Sequence, residues 1–315
     1  MVKSAHGLWD LSEKGECATT KKTVLLQDVG PRDGLQNESV VLSPLERARV
    51  IGALEEAGVR RIQIGSFVNP RLVPQMAETD VVWRSLRKTG STRYSVLVLN
   101  RRGLEQALSI GIPHVEIYVS ASETHSKRNS GVTVAKAIAD AVGMIEFALA
   151  AGATVTAGVM CAFGCFFDGE VPVARVVEIV EELNQPPPTE IGLADTTGMA
   201  RPAAIRALID RLSPVIIGPE RLTIHLHDTR GLGVANLEAA LELGVRCFDT
   251  SVGGLGGCPF IPGAAGNIAT ETTVEFLHAR GFSTGIDLEA VKTAKRLLEL
   301  LLGRKFEPGS TVNLP

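Results

Sequence analysis

Eight short runs dense in Val, Ile and other apolar residues constrain the fold of this chain more than any other feature. They are "TVLLQDVG" (23–30), "RRIQIGSF" (60–67), "RYSVLVLN" (93–100), "HVEIYVSAS" (114–122), "TVTAGVMCAFG" (154–164), "TEIGLADTTG" (189–198), "RLTIHLHD" (221–228) and "CFDTSVGG" (247–254). Near-continuous apolar runs of this kind are what strands buried on both faces require. Amphipathic stretches lie between them. In "PLERARVIGALEEAG", Ala48, Ile51, Leu54 and Ala57 share one helical face and Gly58 closes the helix. "TVAKAIADAVGMIEFALAAG", "VARVVEIVEELN", "AAIRALIDRL" and "VANLEAALELG" repeat the pattern. Strand followed by helix, eight times over, predicts an α/β fold of the (β/α)8 TIM-barrel type. A doubly wound sheet is the alternative, because periodicity alone does not show closure. No G-x-G-x-x-G opens a first helix, which counts against the dinucleotide-binding form of that sheet.

A chain of 315 residues accommodates one such barrel. The expected organisation is an N-terminal arm (1–22), a catalytic barrel (23–285) and a C-terminal helical extension (286–315). The Leu-rich face of "DLEAVKTAKRLLELLLGRK" (287–305) is expected to pack on the barrel or meet a partner subunit, which makes a homodimer the expected assembly. The 32 basic and 35 acidic residues are scattered and the pI is near 6.1, so nothing resembles the clustered basic footprint of a nucleic-acid binder. No apolar run reaches 18 residues, which argues against a membrane span, and the first 22 residues lack the apolar core of a signal peptide. Five cysteines (Cys17, Cys161, Cys165, Cys247, Cys258), odd in number and irregularly spaced, read as reduced thiols of a cytoplasmic protein.

In a barrel of this kind the chemistry gathers at the C-terminal ends of the strands. Strand one hands over to Arg32 and Asp33. Strand two carries Gln63 and Ser66 and runs into "FVNPRLVPQM". Strand four ends in "SASETHSKRN", strand five in "CAFGC", strand six in Asp195, strand seven in "HLHD", and strand eight in "GGLGGCPFIPGAAGN". His225 and His227 lie two apart on a strand, so both point the same way. With Asp33 one strand removed, two imidazoles and a carboxylate suit a Mg²⁺- or Mn²⁺-like ion with open positions; Zn²⁺ is the competing reading. Asn267 either caps the last barrel helix or gives the metal a side-chain oxygen. Cys258 sits in a glycine-rich loop that reads as a lid. Cys161 and Cys165 read as small buried residues lining the pocket. Asp195 is a cap or a paired buried carboxylate. Lys127 and Arg128 are solvated charges or contacts for ligand phosphates.

Taken in order, "GPRDGLQNE", "SFVNPRLVPQM", "SASETHSKRN", "CAFGC", "HLHDTRG" and "GGLGGCPF…GAAGN" resemble the hydroxymethylglutaryl-CoA lyases, within the metal-dependent barrel lyases and synthases whose first strand ends in Arg-Asp-Gly. The resemblance runs from about residue 23 to about residue 285. It implies retro-Claisen cleavage of a tertiary 3-hydroxyacyl-CoA into acetyl-CoA and a keto acid. The implied metal ligands are Asp33, His225, His227 and Asn267. The implied catalytic residues are Arg32, Asp33, His225, Asp195 and Cys258, and the implied substrate contacts are Arg32, Gln63, Ser66, Lys127 and Arg128. On this reading Arg32 holds negative charge on the thioester oxygen, and Cys258 serves proton transfer at C2. The group that takes the hydroxyl proton is left open.

One position departs from the pattern. Where the family reads Ile-Glu at the end of strand two, this chain reads Ile62-Gln63. In an ordinary hydroxymethylglutaryl-CoA lyase, the primary expectation, Gln63 is a tolerated variant. Alternatively the substrate carries its carboxylate on the carbinol carbon, as citramalyl-CoA does, and removing a protein carboxylate offsets the added charge. Related synthases that handle 2-keto acids also carry Glu there, which weighs against this. A longer branched acyl-CoA is a third reading. A zinc hydrolase would need one more His or Cys ligand, and a catalytically dead barrel would make Gln63 its first lesion.

Overall fold

The computed structural model describes residues 22–88, 90–216, 218–257 and 266–306. Most of the N-terminal arm and Cys258 lie outside these residues. Eight parallel strands form a closed barrel in chain order. They are β1 (Leu25–Asp28), β2 (Arg61–Phe67), β3 (Arg93–Val98), β4 (His114–Ser120), β5 (Thr154–Met160), β6 (Glu190–Ala194), β7 (Leu222–His225) and β8 (Cys247–Thr250). Pairing of β1 with β8, from Leu25 beside Cys247 to Asp28 beside Thr250, closes the ring and decides against the open sheet. Around it run α1 (Pro44–Glu56), α2 (Thr79–Ser85), α3 (Arg101–Ser109), α4 (Glu123–Ser130), α5 (Val134–Ala150), α6 (Val173–Leu183), α7 (Pro202–Leu212), α8 (Gly233–Glu242), α9 (Thr270–Ala279) and α10 (Leu288–Leu302).

The core lies between strands and helices. Ile62, Ile64, Val96, Val115, Ile117, Val155, Ile191 and Ile224 are buried there with Val50, Ile51 and Leu54 of α1 and the matching faces of the other helices. Helix α1 starts sharply because Ser43 and Glu46 form a capping box with Pro44 at its first position. Helix α10 lays Val291, Ala294, Leu298 and Leu302 against its neighbours α1 and α9 and leaves Leu300 exposed.

The bore is unusually polar for a packed barrel, whose interior is ordinarily filled by branched apolar side chains. At its base Glu190 takes ion pairs from Arg61 and, at 2.8 Å, from Arg93. Higher up, Gln27 donates to both Glu116 and Asp249, each at 3.1 Å. Tyr118 crosses the bore against β5 and β6. A Cβ at Gly158 or Gly192 would lie 2.2 or 2.3 Å from the Tyr118 side chain, so both positions must be glycine.

Most strands stop short of the runs read from sequence, and two of these ends shape the site. β1 stops at Asp28, and the Val29 carbonyl then accepts from the N–H groups of Arg32, Asp33 and Gly34 at 3.0, 2.7 and 3.2 Å. This wide single turn, Gly30–Gly34, swings both charged side chains over the bore. β7 stops at His225, and His227 instead pairs with Asn267 in an isolated antiparallel bridge.

Candidate metal centre and active site

Asp33, His225 and His227 converge at the C-terminal mouth, with ligand atoms within 4.8 Å of one another. The Nε2 atoms of His225 and His227 are 3.1 Å apart. Each is brought there by a different constraint. His225 is the last residue of β7, and its Nδ1 lies 3.2 Å from the Asp249 carboxylate on β8. That contact keeps the proton on Nδ1 and leaves the Nε2 lone pair for a metal. His227 is held by the bridge to Asn267, flanked by the Ile268 N–H to Leu226 carbonyl bond at 3.2 Å.

Asn267 does not cap the following helix. Helix α9 begins at Thr270 with no side-chain cap. The Asn267 Nδ2 donates to Asp33 Oδ2 and to the Leu255 carbonyl, both at 2.9 Å, because the 266–268 segment pairs beside β7 and turns the side chain inward. Its Oδ1 is buried with no hydrogen-bond partner. An unpaired buried amide oxygen is costly unless something occupies it. Its position beside the Asp33 carboxylate and the imidazoles is what a divalent cation would use. The O₂N₂ donor set therefore fits such an ion. Gly256 permits the approach: its φ is +122°, and a Cβ there would sit 2.4 Å from Asn267 Nδ2.

The electrostatics follow the same geometry. Burial alone would raise the Asp33 pKa, but the Arg32 guanidinium and the two imidazoles outweigh it and hold the carboxyl well below the usual range. Burial and the neighbouring His225 push His227 down to about 3, so it stays neutral. For His225, burial is outweighed by Asp249 and Asp33, which raise its pKa.

Arg32 lies beside the metal group. Its Nη1 donates to Asp33 Oδ1 at 2.5 Å and its Nε donates to Gln63 Oε1. A cavity of about 520 Å³ opens over them, walled by Leu97, Tyr118, Ser120, His125 and Met144, with Glu116 and Asp249 also in its lining. Ser122 and Thr124 both donate to Asp168, tying the loop after β4 to the loop after β5.

Other sequence candidates fall at varied distances from this centre. Asp195 uses Oδ1 to take the N–H groups of Met199 and Ala200, at 2.7 and 3.0 Å, while Oδ2 is buried without a partner. Burial raises its pKa to about 6. Gln63 is fully buried behind Arg32. A register shift between Gln63 and Gly65 sets Ser66 level with Leu97, and its Oγ is buried with no partner. Lys127 and Arg128 are exposed on α4, with Arg128 over the Phe167 ring at 4.3 Å. Cys161 and Cys165 are buried but do not line the cavity; Met160, just before them, does. The loop turns at Cys161, whose φ is +56°.

Sequence reasoning missed Glu116, Tyr118 and Asp249. The signal was available: a carboxylate inside an apolar strand, in "HVEIYVS" and in "CFDT", must face something polar.

The HMGL-like family model matches residues 23–298. The chain belongs to the HMGL-like family. It is 43% identical over 300 residues to the (R)-citramalyl-CoA lyase of Chloroflexus aurantiacus, covering 90% of this chain and 92% of that one. It is also 43% identical over 273 residues to the hydroxymethylglutaryl-CoA lyase of Pseudomonas mevalonii, covering 86% and 89%. Among solved structures, an HMG-CoA lyase from Acinetobacter baumannii in complex with coenzyme A and 3-methylmalate superposes with a TM-score of 0.88 at 34% identity, over 95% of this chain and 99% of that one. As an HMGL-like protein with this architecture, the chain is a TIM-barrel carbon–carbon lyase. Among the described residues no helix is long and apolar enough to cross a membrane.

Proposed function

We propose that this HMGL-like protein cleaves 3-hydroxy-3-methylglutaryl-CoA into acetyl-CoA and acetoacetate, using Mg²⁺ or Mn²⁺. The observation that carries the reading is the convergence of Asp33, His225, His227 and the unpaired Asn267 Oδ1 beside Arg32 at the mouth of one cavity. When bound, the divalent ion would acidify the C3 hydroxyl and favour the ketone it becomes. The C2–C3 bond breaks as that hydroxyl loses its proton, and C2 departs as the enolate of the thioester. Arg32, held by Asp33 and Gln63, donates to the thioester oxygen where the enolate charge develops. A proton delivered to C2, the role assigned to Cys258, completes acetyl-CoA. Ser66 is a candidate contact for the acyl tip, and Lys127 and Arg128 are candidates for the coenzyme phosphates. A homodimer in the cytoplasm is the proposed state.

Cleavage of citramalyl-CoA to acetyl-CoA and pyruvate is the second reading, favoured by the uncharged Gln63 on Arg32 and by equal identity to a citramalyl-CoA lyase. The purified protein is incubated with Mg²⁺ or Mn²⁺ and, separately, hydroxymethylglutaryl-CoA and each enantiomer of citramalyl-CoA. Acetyl-CoA and keto acid are followed with an EDTA control. Cleavage of the first substrate, abolished by EDTA and restored by metal, is expected. Cleavage of citramalyl-CoA alone replaces the first reading with the second, and EDTA-insensitive turnover refutes both.

A further inference from the structure

Arg32 is the cation on which the proposed chemistry turns, yet its two side-chain partners leave it short of charge. Asp33 belongs to the metal group, and Gln63 is neutral. Next in line is a carboxylate three strands from Arg32. Glu116 on β4 is 1% exposed, faces the bore and lines the cavity with Arg32. It accepts from Ser95 Oγ at 2.6 Å and from Gln27 Nε2 at 3.1 Å. Ser95 lies directly beside Gln63 in the β2–β3 register, which sets the Arg32–Gln63 pair next to the Ser95–Glu116 pair across the mouth between the turn after β1 and β4.

The amide of Gln63 has an imposed direction. The Arg32 Nε is a donor, so Gln63 must offer it Oε1, and its Nε2 then faces the other way. That Nε2 is buried with no hydrogen-bond partner, and the Gln63 amide is among the groups that favour the ionised form of Glu116. A buried donor left unpaired is tolerated best where a negative charge stands close by.

We propose that Glu116 is a positioning residue for Arg32, supplying through Gln63 the negative charge that orients the guanidinium toward the thioester oxygen. The inference rests on the reading of Arg32 given above. It separates two tasks: Gln63 fixes where the guanidinium sits, and Glu116 fixes how the Gln63 amide is turned. Burial and Asp249 raise the Glu116 pKa, Ser95, Arg32 and Gln63 oppose them by favouring the ionised form, and the balance stands at about 7.

The test exchanges charge between the two strands. Glu116→Gln, Gln63→Glu and the double exchange Gln63→Glu/Glu116→Gln are compared with the parent in kcat, KM, melting temperature and the rate at which phenylglyoxal modifies Arg32, mapped by peptide mass spectrometry. Glu116→Gln is expected to lower kcat by about ten- to hundred-fold with KM nearly unchanged, and to speed Arg32 modification. The double exchange is expected to bring both readouts back toward the parent, because the charge again lies against Arg32. A merely structural Glu116 would lower the melting temperature without reciprocal rescue. Parent-like Arg32 modification in Glu116→Gln, or a double exchange no better than that single variant, overturns the proposal. Should the parent cleave no thioester, the lyase reading fails and the modification rates alone decide the role of Glu116. Should Glu116→Gln not fold, the double exchange decides: parent-like Arg32 protection supports the proposal, and its loss refutes it.

Discussion

Replacing Asp249 by Asn keeps the size of the side chain and removes one acceptor, and the surroundings make that loss unavoidable. Asp249 Oδ2 faces His225 Nδ1 at 3.2 Å, and its Oδ1 accepts from Gln27 Nε2 at 3.1 Å. Both neighbours are donors, whereas an asparagine offers a single acceptor. If its oxygen serves His225, its NH₂ meets the Gln27 NH₂. If it serves Gln27, the NH₂ meets Nδ1, the imidazole moves its proton to Nε2, and the lone pair required by a metal is gone. Loss of such an orienting partner weakens metal binding by about ten- to hundred-fold, or about 1.4–2.7 kcal/mol. The unpaired buried donor should also lower metal-free stability by about 1–3 kcal/mol. Titration of Asp249→Asn with Mn²⁺, read by calorimetry or by the paramagnetic signal of free Mn²⁺, gives the first quantity, and urea unfolding in EDTA gives the second. A Mn²⁺ affinity within about two-fold of the parent, with stability reduced, would show that Asp249 does not orient His225.

Arg32→Gln should lower kcat by about a hundred- to a thousand-fold, as removal of a preorganised oxyanion donor does; steady-state kinetics with the cleaved thioester checks this. His114 lies at the base of the bore between Thr154 Oγ1 at 2.7 Å and Thr156 Oγ1 at 2.9 Å, and burial pushes its pKa down to about 4. Between the unfolded value near 6.5 and pH 4 the unfolded chain binds a proton that the folded chain refuses. The contribution of neutral His114 is thus complete above about pH 6.5 and lost as pH falls, by about 3 kcal/mol in total. Urea unfolding at several pH values should show a shallower pH slope in His114→Asn than in the parent.

The strand runs and the Arg-Asp, His-x-His and Gly-rich segments were legible in the sequence because each has a local cause: burial on both faces, a strand end, a period of two. His225, His227 and Asp33 meet where that reasoning placed them. Asn267 was ambiguous because its neighbour across space, His227, is 40 residues earlier, and only the bridge between them turns its side chain toward Asp33 and away from the start of the following helix. The polar bore was harder still. Alternation shows that Glu116 and Tyr118 share a face, but not that this face meets Gln27 and Asp249 from β1 and β8. Cys161 and Cys165 were misplaced for a related reason: a left-handed turn at a non-glycine residue carries no reliable signature.

The base of the barrel, closed by Arg61, Arg93 and Glu190, makes the bore a well with a single mouth. In such a vessel depth dictates the order of departure. A cleaved 3-hydroxyacyl-CoA would leave its keto acid beneath and its thioester above, so the thioester must clear the rim first. The keto acid would then be the last companion of the protein and compete with each incoming substrate molecule, while acetyl-CoA would inhibit without competing.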